Sequence, residues 1–462
     1  MIQSVVVGGG PAGLAAAYRL SQHPDHATLL LERAPTLGGL AAGFCHGDYT
    51  LDFGPHRLHS STDATVLRDL RSLLGDELEL RTRRGQIRLA GRYLPYPPGP
   101  AALLRLGLER AARLGFGVLA AALQRRPDPP PSYEAALVSR LGEPLYRLFY
   151  GPYAEKVWGL PGSQIAADQA ELRVNQRGVV DILRLVLSRR RGRSYWYPRG
   201  GFGRIPAAYA GALARESTVR VEHSVTVEAV ERSANRIVAV RYQRAGQSVR
   251  VPTDHLIWSA PLPELIRRLD PPVPTEVATA MGDLRYRAVV LCYLALAVPR
   301  IGAADTYYFP EPEFPFNRVT EQKNFSSALI PADRTVLGLD ISCDPDGPIY
   351  AASDAELAAL VLPSLEAAGL VSRRQVVEVF SRRFRHAYPI YDLGYRAALS
   401  RGLSWLAPFP NLWLSGRQGL FLHNNTHHSL LMGYRAADTI ATLERAGWAD
   451  QLDEFATFRV AD

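Results

Sequence analysis

The stretch Ser4-Val-Val-Val-Gly8-Gly-Gly10-Pro-Ala-Gly13, continued by Leu29-Leu-Leu-Glu32-Arg33 and then Gly38-Gly39, decides the fold of this chain. Val5–Val7 is a β-branched run suited to a buried parallel strand, and it stops abruptly at glycine. Gly8, Gly10 and Gly13 have the spacing G-x-G-x-x-G. The first permits a tight turn, the second lets backbone approach a pyrophosphate, and the third lets the following helix pack close to the strand. That helix is predicted from Pro11 to about Gln22, with Pro11 and Ala12 in its first turn and its free N–H groups and dipole aimed at phosphate. A second strand, Ala27–Leu31, ends in Glu32, about 20 residues past the glycines, where such units bind a ribose hydroxyl. A G-x-G-x-x-G alone is weak evidence, because glycine turns are common. Strand, glycines, helix, second strand and acid in order predict a dinucleotide site.

At 462 residues, 47% hydrophobic and 21% charged, the chain has the composition of a globular protein with two or three subdomains. Cys45, Cys292 and Cys343 lie too far apart for a disulfide framework or a zinc site of the usual spacing, which fits a reducing cytoplasm. No charged region and apolar core precede the first strand, so no signal peptide is expected. The net charge is +8, and only Lys156 and Lys323 are lysines. Arginine binds phosphate and carboxylate bidentately, which suits a small anionic substrate. The arginines are dispersed and form no nucleic-acid module, so nucleic acid is not an expected partner. No run reaches the roughly 20 uninterrupted apolar residues of a membrane span. Ala101–Leu123 reads as one or two amphipathic helices, with Leu114–Leu123 the candidate for a peripheral membrane contact. The oligomeric state is not readable.

Along the chain, Leu51–His56 reads as a short strand and turn, Thr62–Leu74 as a helix, and Gln86–Tyr93 as a hairpin around Ala90-Gly91. Helices dominate from Ala101 to about Arg190, broken by Arg125-Arg-Pro-Asp-Pro-Pro-Pro131. Strands are predicted at Val219–Val230, Arg236–Tyr242 and Asp254–Ala260, and five more between Val289 and Phe384, with one helix at Ser353–Ala368. Asn411–Ser415, Gly416 and a helix from about His428 form a last strand–glycine–helix unit.

Glu32-Arg33, four residues, then Gly38-Gly39-Leu40 resembles the signature after the ribose acid in the flavin amine oxidase superfamily, which implies FAD rather than NAD. Phe53-Gly54-Pro55-His56-Arg57-Leu58-His59 resembles a G-x-H-x-x-H segment of the UDP-galactopyranose mutases within that superfamily. Tyr150–Leu160, containing Tyr153, Lys156 and Trp158, resembles their Y-x-x-K-x-W-G segment. Phe316-Asn317-Arg318-Val-Thr-Glu321 resembles a P-Y-x-R-x-x-E segment, and Tyr388-Pro389-Ile390-Tyr391 the tyrosine–proline element after it. Gly416-Arg417 and His423–Ser429 resemble the C-terminal flavin strand and helix start, with an asparagine pair more like bacterial protoporphyrinogen-oxidase-like proteins.

The resemblance implies an α/β fold, α+β overall: a discontinuous Rossmann-like FAD-binding domain over 1–82, 195–262 and 400–448. A mainly helical insertion covers 83–194, and an antiparallel-sheet substrate domain covers 263–399. The FAD set is then Gly8, Gly10, Pro11, Ala12, Gly13, Glu32, Arg33, Gly38, Gly39, Leu40, Gly54, Pro55, His56, Val227, Gly416, Arg417, Asn425, His428 and Ser429. His56, His59, Arg318, Tyr388, Tyr391 and His428 are the expected catalytic groups, with His427 a further acid–base candidate. Tyr153, Trp158, Arg173 and Arg318 are expected on the substrate, Arg318 at a phosphate position unless it pairs with Glu321. No metal is expected. Asn425 and Thr426 fit a flavin contact and a plain helix cap equally. The implied activity is hydride removal from a C–N or C–C bond. A sugar-nucleotide mutase using reduced FAD and a non-catalytic flavoprotein are the alternatives.

Overall fold

A computed structural model describes residues 1–124, 129–173, 194–442 and 448–460. Val5 and Val6 are fully buried in the strand Ile2–Val7, the centre of a five-stranded parallel sheet. Its order is Val219–Glu222, His26–Leu31, Ile2–Val7, His255–Trp258, Leu412–Leu414. Strands this apolar are covered on both faces, which is how parallel sheets occur. The helix Pro11–Leu20 lies on one face and packs along the C-terminal helix Thr426–Thr442. A Cβ on Gly433 would sit 2.2 Å from the Ala12 carbonyl, so only glycine permits this approach. The chain thus returns to its first helix from more than four hundred residues away.

The second main layer is a seven-stranded sheet ordered Val376–Pro389, Tyr286–Leu296, Thr335–Cys343, Arg318–Glu321, Thr306–Tyr308, Gly85–Leu89, Arg92–Tyr96. Alternation sorts its long strand Tyr286–Leu296. Ala288, Val290, Cys292 and Leu294 join Leu357, Val361 and Leu365 of the helix Asp354–Ala367 in one core. Val289, Leu291, Tyr293 and Ala295 face Phe44 and Phe53 in another.

The sheet differs from expectation in two ways. The hairpin over 85–96, assigned to the helical insertion, forms its edge, because the alternating Ile87, Leu89 and Leu94 bury one face. Its strand Gly85–Leu89 runs parallel to Thr306–Tyr308, so the sheet is not wholly antiparallel. The predicted strand from Arg318 stops at Glu321, where Gln322–Asn324 turns. The residues 226–252 form a separate antiparallel layer rather than extending the parallel sheet.

In the insertion, Leu108–Leu123, Tyr133–Leu141, Gly151–Trp158 and Asp168–Arg173 are helical, and the helix predicted over 174–190 lies outside the described residues. Both lysines are held by main-chain oxygen. The Lys156 ammonium donates to the carbonyls of Phe309, Glu311 and Phe316, and Lys323 to those of Pro299, Pro331, Ala332 and Arg334. An ammonium directs its three donors tetrahedrally, which suits such a cage. None of the described helices is long and apolar enough to cross a membrane.

Candidate functional site

The strand Ile2–Val7 ends at Gly8, whose φ of +103° is the left-handed geometry that favours glycine. Four glycines then divide the work. Gly38 N–H donates to the Gly9 carbonyl at 2.7 Å, and a Cβ on Gly39 would lie 3.1 Å from Gly10 Cα, so the two glycine pairs press together. A Cβ on Gly13 would stand 1.8 Å from the Gly8 carbonyl, which sets the helix against the turn. A Cβ on Gly10 would meet nothing within 4 Å. Gly10 therefore opens a cradle directly in front of the helix Pro11–Leu20, whose first turn carries no acid and no side-chain cap. An N-terminus left this way attracts an anion.

Glu32 closes the cradle, its two oxygens accepting from Gly9 N–H at 2.6 Å and Ala34 N–H at 2.7 Å. Gly416 approaches from the other end of the chain with φ +78°, where its Cβ would lie 2.8 Å from Ala12 Cβ. These groups fit a dinucleotide: pyrophosphate at Gly10, ribose at Glu32. Arg33 is exposed beside them, and the Val227 carbonyl is engaged by Arg268 Nε at 2.7 Å.

A second cluster centres on His56. Gly54 turns the chain with φ +91°, and the His56 ring stacks on Phe202 at 5.3 Å. Burial, with the charges of Arg417 and Arg318 nearby, pushes His56 down to about 4, against a smaller opposing effect of the Phe53 and Leu40 backbone. Its Nε2 is buried and without a partner.

Phe202 is itself held by Asp52, a buried carboxylate that accepts from Phe202 N–H at 2.8 Å, Gly203 N–H at 3.0 Å and the Tyr197 hydroxyl. Burial raises Asp52 above the usual carboxylate range. The sequence reading missed Asp52 and Phe202; the signal was the glycine-rich Gly200-Gly-Phe-Gly203, a segment that needs its N–H groups bonded from elsewhere.

Arg318 donates from both Nε, at 2.9 Å, and Nη2 to one oxygen of buried Asp340, so its acid is Asp340 rather than Glu321. Glu321 instead accepts from Ile301 N–H and the Thr335 hydroxyl. Tyr388, Tyr153 and Tyr308 surround Arg318 closely enough for their phenols to act on it electrostatically. Arg83 donates to the Tyr308 hydroxyl at 2.7 Å, and Tyr96 stacks on Tyr308 at 4.2 Å. The Arg417 guanidinium lies 5.7 Å over the Tyr388 ring and donates to the carbonyls of Ala387 and Asn424. His56, Arg318, Arg417, Tyr388 and Tyr153 are thus brought together.

Other expected residues are not. Trp158 is 4% exposed in the core of the helical region, edge-on to Tyr133 at 5.5 Å, so it presents no open ring face for substrate stacking. The Tyr391 hydroxyl donates to the Phe421 carbonyl at 3.0 Å and accepts from His423 N–H at 3.3 Å, which makes it a packing group rather than a substrate donor. His428 Nδ1 accepts from Asn425 N–H at 3.2 Å and its ring stacks on Phe458 at 4.5 Å, so these two form the helix cap. Burial also pushes His428 down to about 4, below the range of an acid–base group at neutral pH. Ser429 donates to Asn424 Oδ1. His427 is buried with neither ring nitrogen bonded, and burial pushes it down to about 2. His59 lies 5.7 Å from His427 and bonds the Ser61 hydroxyl. Arg173 ends the helix Asp168–Arg173, where the Leu172 carbonyl receives Val460 N–H; no described bond or ion pair joins it to Arg318.

The model of a family described as flavin containing amine oxidoreductase matches residues 11–441. The chain belongs to this family. Membership implies a flavin cofactor, which the dinucleotide cradle fits. Among solved structures, a reduced UDP-galactopyranose mutase superposes with TM-score 0.84 at 21% identity, covering 99% of each chain. A protoporphyrinogen oxidase-like protein from Exiguobacterium sp. 255-15 gives 0.73 at 19%, covering 96% of this chain and 99% of that one. Wild-type putrescine oxidase bound to putrescine gives 0.63 at 18%, covering 96% and 99%. At these identities the likeness establishes the shared fold, and the site chemistry rests on this chain's own residues.

Proposed function

We propose that the protein is an FAD-dependent oxidoreductase that removes hydride from a C–N or C–C bond of a small substrate bearing an anionic or electron-rich oxygen. The observation that carries this is His56: a buried imidazole, neutral at pH 7, with Nε2 unpartnered and the cations of Arg318 and Arg417 close by. A neutral imidazole has one donor and one acceptor nitrogen, so the unpartnered Nε2 can hydrogen-bond a polar group of the substrate and orient the bond to be oxidised. Gly10 and the helix N-terminus hold the FAD pyrophosphate and Glu32 the ribose; the bound flavin supplies the hydride acceptor. Arg417 lies over the Tyr388 ring beside His56, and Tyr153 and Tyr388 bound the substrate laterally.

The mutase-like alternative needs a dense cationic site for a diphosphate. Three arginines, Arg83, Arg318 and Arg417, favour it, but Asp340 neutralises Arg318.

The test begins with the visible spectrum of purified protein, which should show bound FAD. Anaerobic mixing with a panel of amines and of reduced cyclic carbon substrates should then bleach the flavin with at least one of them. A flavin that no panel member reduces, in a protein that interconverts UDP-galactopyranose and its furanose form once dithionite is added, overturns the oxidoreductase reading in favour of the mutase.

A further inference from the structure

The helix Leu108–Leu123 is two-faced in an unusual sense. Its inner stripe, Leu114, Gly117 and Ala121, is buried, and a Cβ on Gly117 would touch Pro144 at 2.8 Å. The outward stripe is apolar as well. Leu108, Ala112, Phe116, Leu119 and Leu123 recur every three or four residues, and with Gly115 and Ala122 they fill an arc of about 120° without a charge. Leu108, Phe116, Leu119 and Leu123, with Leu104 in the turn before, are each more than half exposed. Other exposed leucines and valines, such as Leu360 and Val377, stand apart along the sequence, as is normal for any surface. Five together on one helix and its lead-in turn form a surface that calls for a partner.

We propose that this face rests on an anionic lipid surface. The charge around it selects that occupant. Between Leu104 and Leu123 there are three arginines, Arg105, Arg110 and Arg113, against one acid, Glu109, and Arg92 joins them by donating to the Arg105 carbonyl. Arg113 pairs with Glu109 at the rim of the stripe, and the exposed Arg105 stands beside Leu104 at its N-terminal end, while Arg110 falls on the opposite side of the helix. The whole chain carries +8. An apolar stripe bordered by arginine is the pattern of an interfacial helix, in which the leucines enter the headgroup boundary and the guanidinium groups meet lipid phosphate. A second copy of the chain would bring the same positive border against itself.

The expected contact over Leu114–Leu123 is thereby corrected: Leu114 faces inward, and Leu104 and Leu108 take its place. The inward side also matters, because Leu114 packs in the cluster that holds Tyr308, Phe149 and Tyr153, and Tyr308 and Tyr153 border Arg318. One helix thus has lipid on its outside and, on its inside, the aromatic cluster that borders Arg318.

The test is flotation of the full, FAD-loaded chain with phosphatidylcholine vesicles that contain or lack phosphatidylglycerol. Binding should need phosphatidylglycerol and weaken with salt. Joint substitution of Phe116→Ser and Leu119→Ser should lower partitioning tenfold or more, and Arg105→Gln with Arg113→Gln about fivefold per charge removed. Leu360→Ser should leave binding unchanged. Flavin absorbance and melting temperature, expected to match the parent in every variant, certify folding. No flotation with phosphatidylglycerol overturns the proposal. So does flotation indifferent to Phe116 and Leu119, or light scattering that shows the parent chain self-associated and the Phe116/Leu119 variant dispersed without any vesicle binding.

Discussion

Gly10 and Gly13 stand three residues apart in one motif, yet the structure assigns them opposite sensitivities. Gly10 has φ −76° and ψ −176°, a backbone any residue adopts, and its Cβ would project into open space. Gly10→Val should therefore leave the apoprotein nearly as stable as the parent, at a cost of about 1 kcal/mol for a poorer helix cap. Its isopropyl group occupies the pyrophosphate cradle, so flavin is lost. Gly13→Ala meets the Gly8 carbonyl at 1.8 Å, and the helix must retreat by about 2 Å to restore an ordinary contact. That should cost about 3 kcal/mol in the apoprotein itself. Thermal melts with and without added FAD separate the two. Parent protein should gain about 4 kcal/mol at a thousandfold excess of FAD over its Kd. Gly10→Val should melt like parent apoprotein and gain nothing, whereas Gly13→Ala should melt low even without FAD. A Gly10→Val protein that retains stoichiometric flavin and its full FAD-dependent shift would refute the assignment of the cradle.

Three further outcomes are expected. Asp340→Asn should strip Arg318 of its carboxylate partner, and the unpaired buried cation should cost about 3 kcal/mol of stability in urea melts; a loss below about 1 kcal/mol would show that Arg318 does not depend on Asp340. Asp52→Ala should cost about 3–5 kcal/mol in urea melts, since it strands two main-chain N–H groups and the Tyr197 hydroxyl; a loss below about 1 kcal/mol would remove Asp52 from its structural role. His56, His427 and His428 are all held below the ordinary histidine value, to about 4, 2 and 4. The unfolded chain takes up these protons near pH 6.5 and the folded chain only at lower pH, so stability is complete above about 6.5 and falls as the pH drops toward 4. The slope from these three should reach about 4 kcal/mol per pH unit, and urea midpoints that stay level from pH 7 to 4.5 would contradict their burial as neutral rings.

The cradle was legible because its determinants are local. Gly8 to Gly13, Glu32 and Gly38-Gly39 each act on backbone within a few residues or on an adjacent strand, and spacing alone carries that information. The return of the chain through Leu412–Leu414 and Gly416 was legible for the same reason, as a second strand–glycine–helix unit. What escaped depends on partners set by tertiary structure. Arg318 has Glu321 three residues away, yet the antiparallel register aligns it with Asp340 of the neighbouring strand. Trp158 looked like a stacking platform in sequence, but its helix turns it against Tyr133. The hairpin over 85–96 carries a clear strand pattern, and only the unfilled edge at Thr306–Tyr308 decides which sheet it joins. His428 and Asn425 satisfied both readings in advance, and Phe458, arriving from the far C-terminus, settles the first as a packed cap.

The carbonyl cages around Lys156 and Lys323 have a practical corollary. They hold the only two side-chain amines in the sequence, neither of them exposed. Amine-directed reagents acting on the folded protein should therefore spare both lysines, and progressive labelling of them would serve as a clock for the opening of the sheet layers that enclose them.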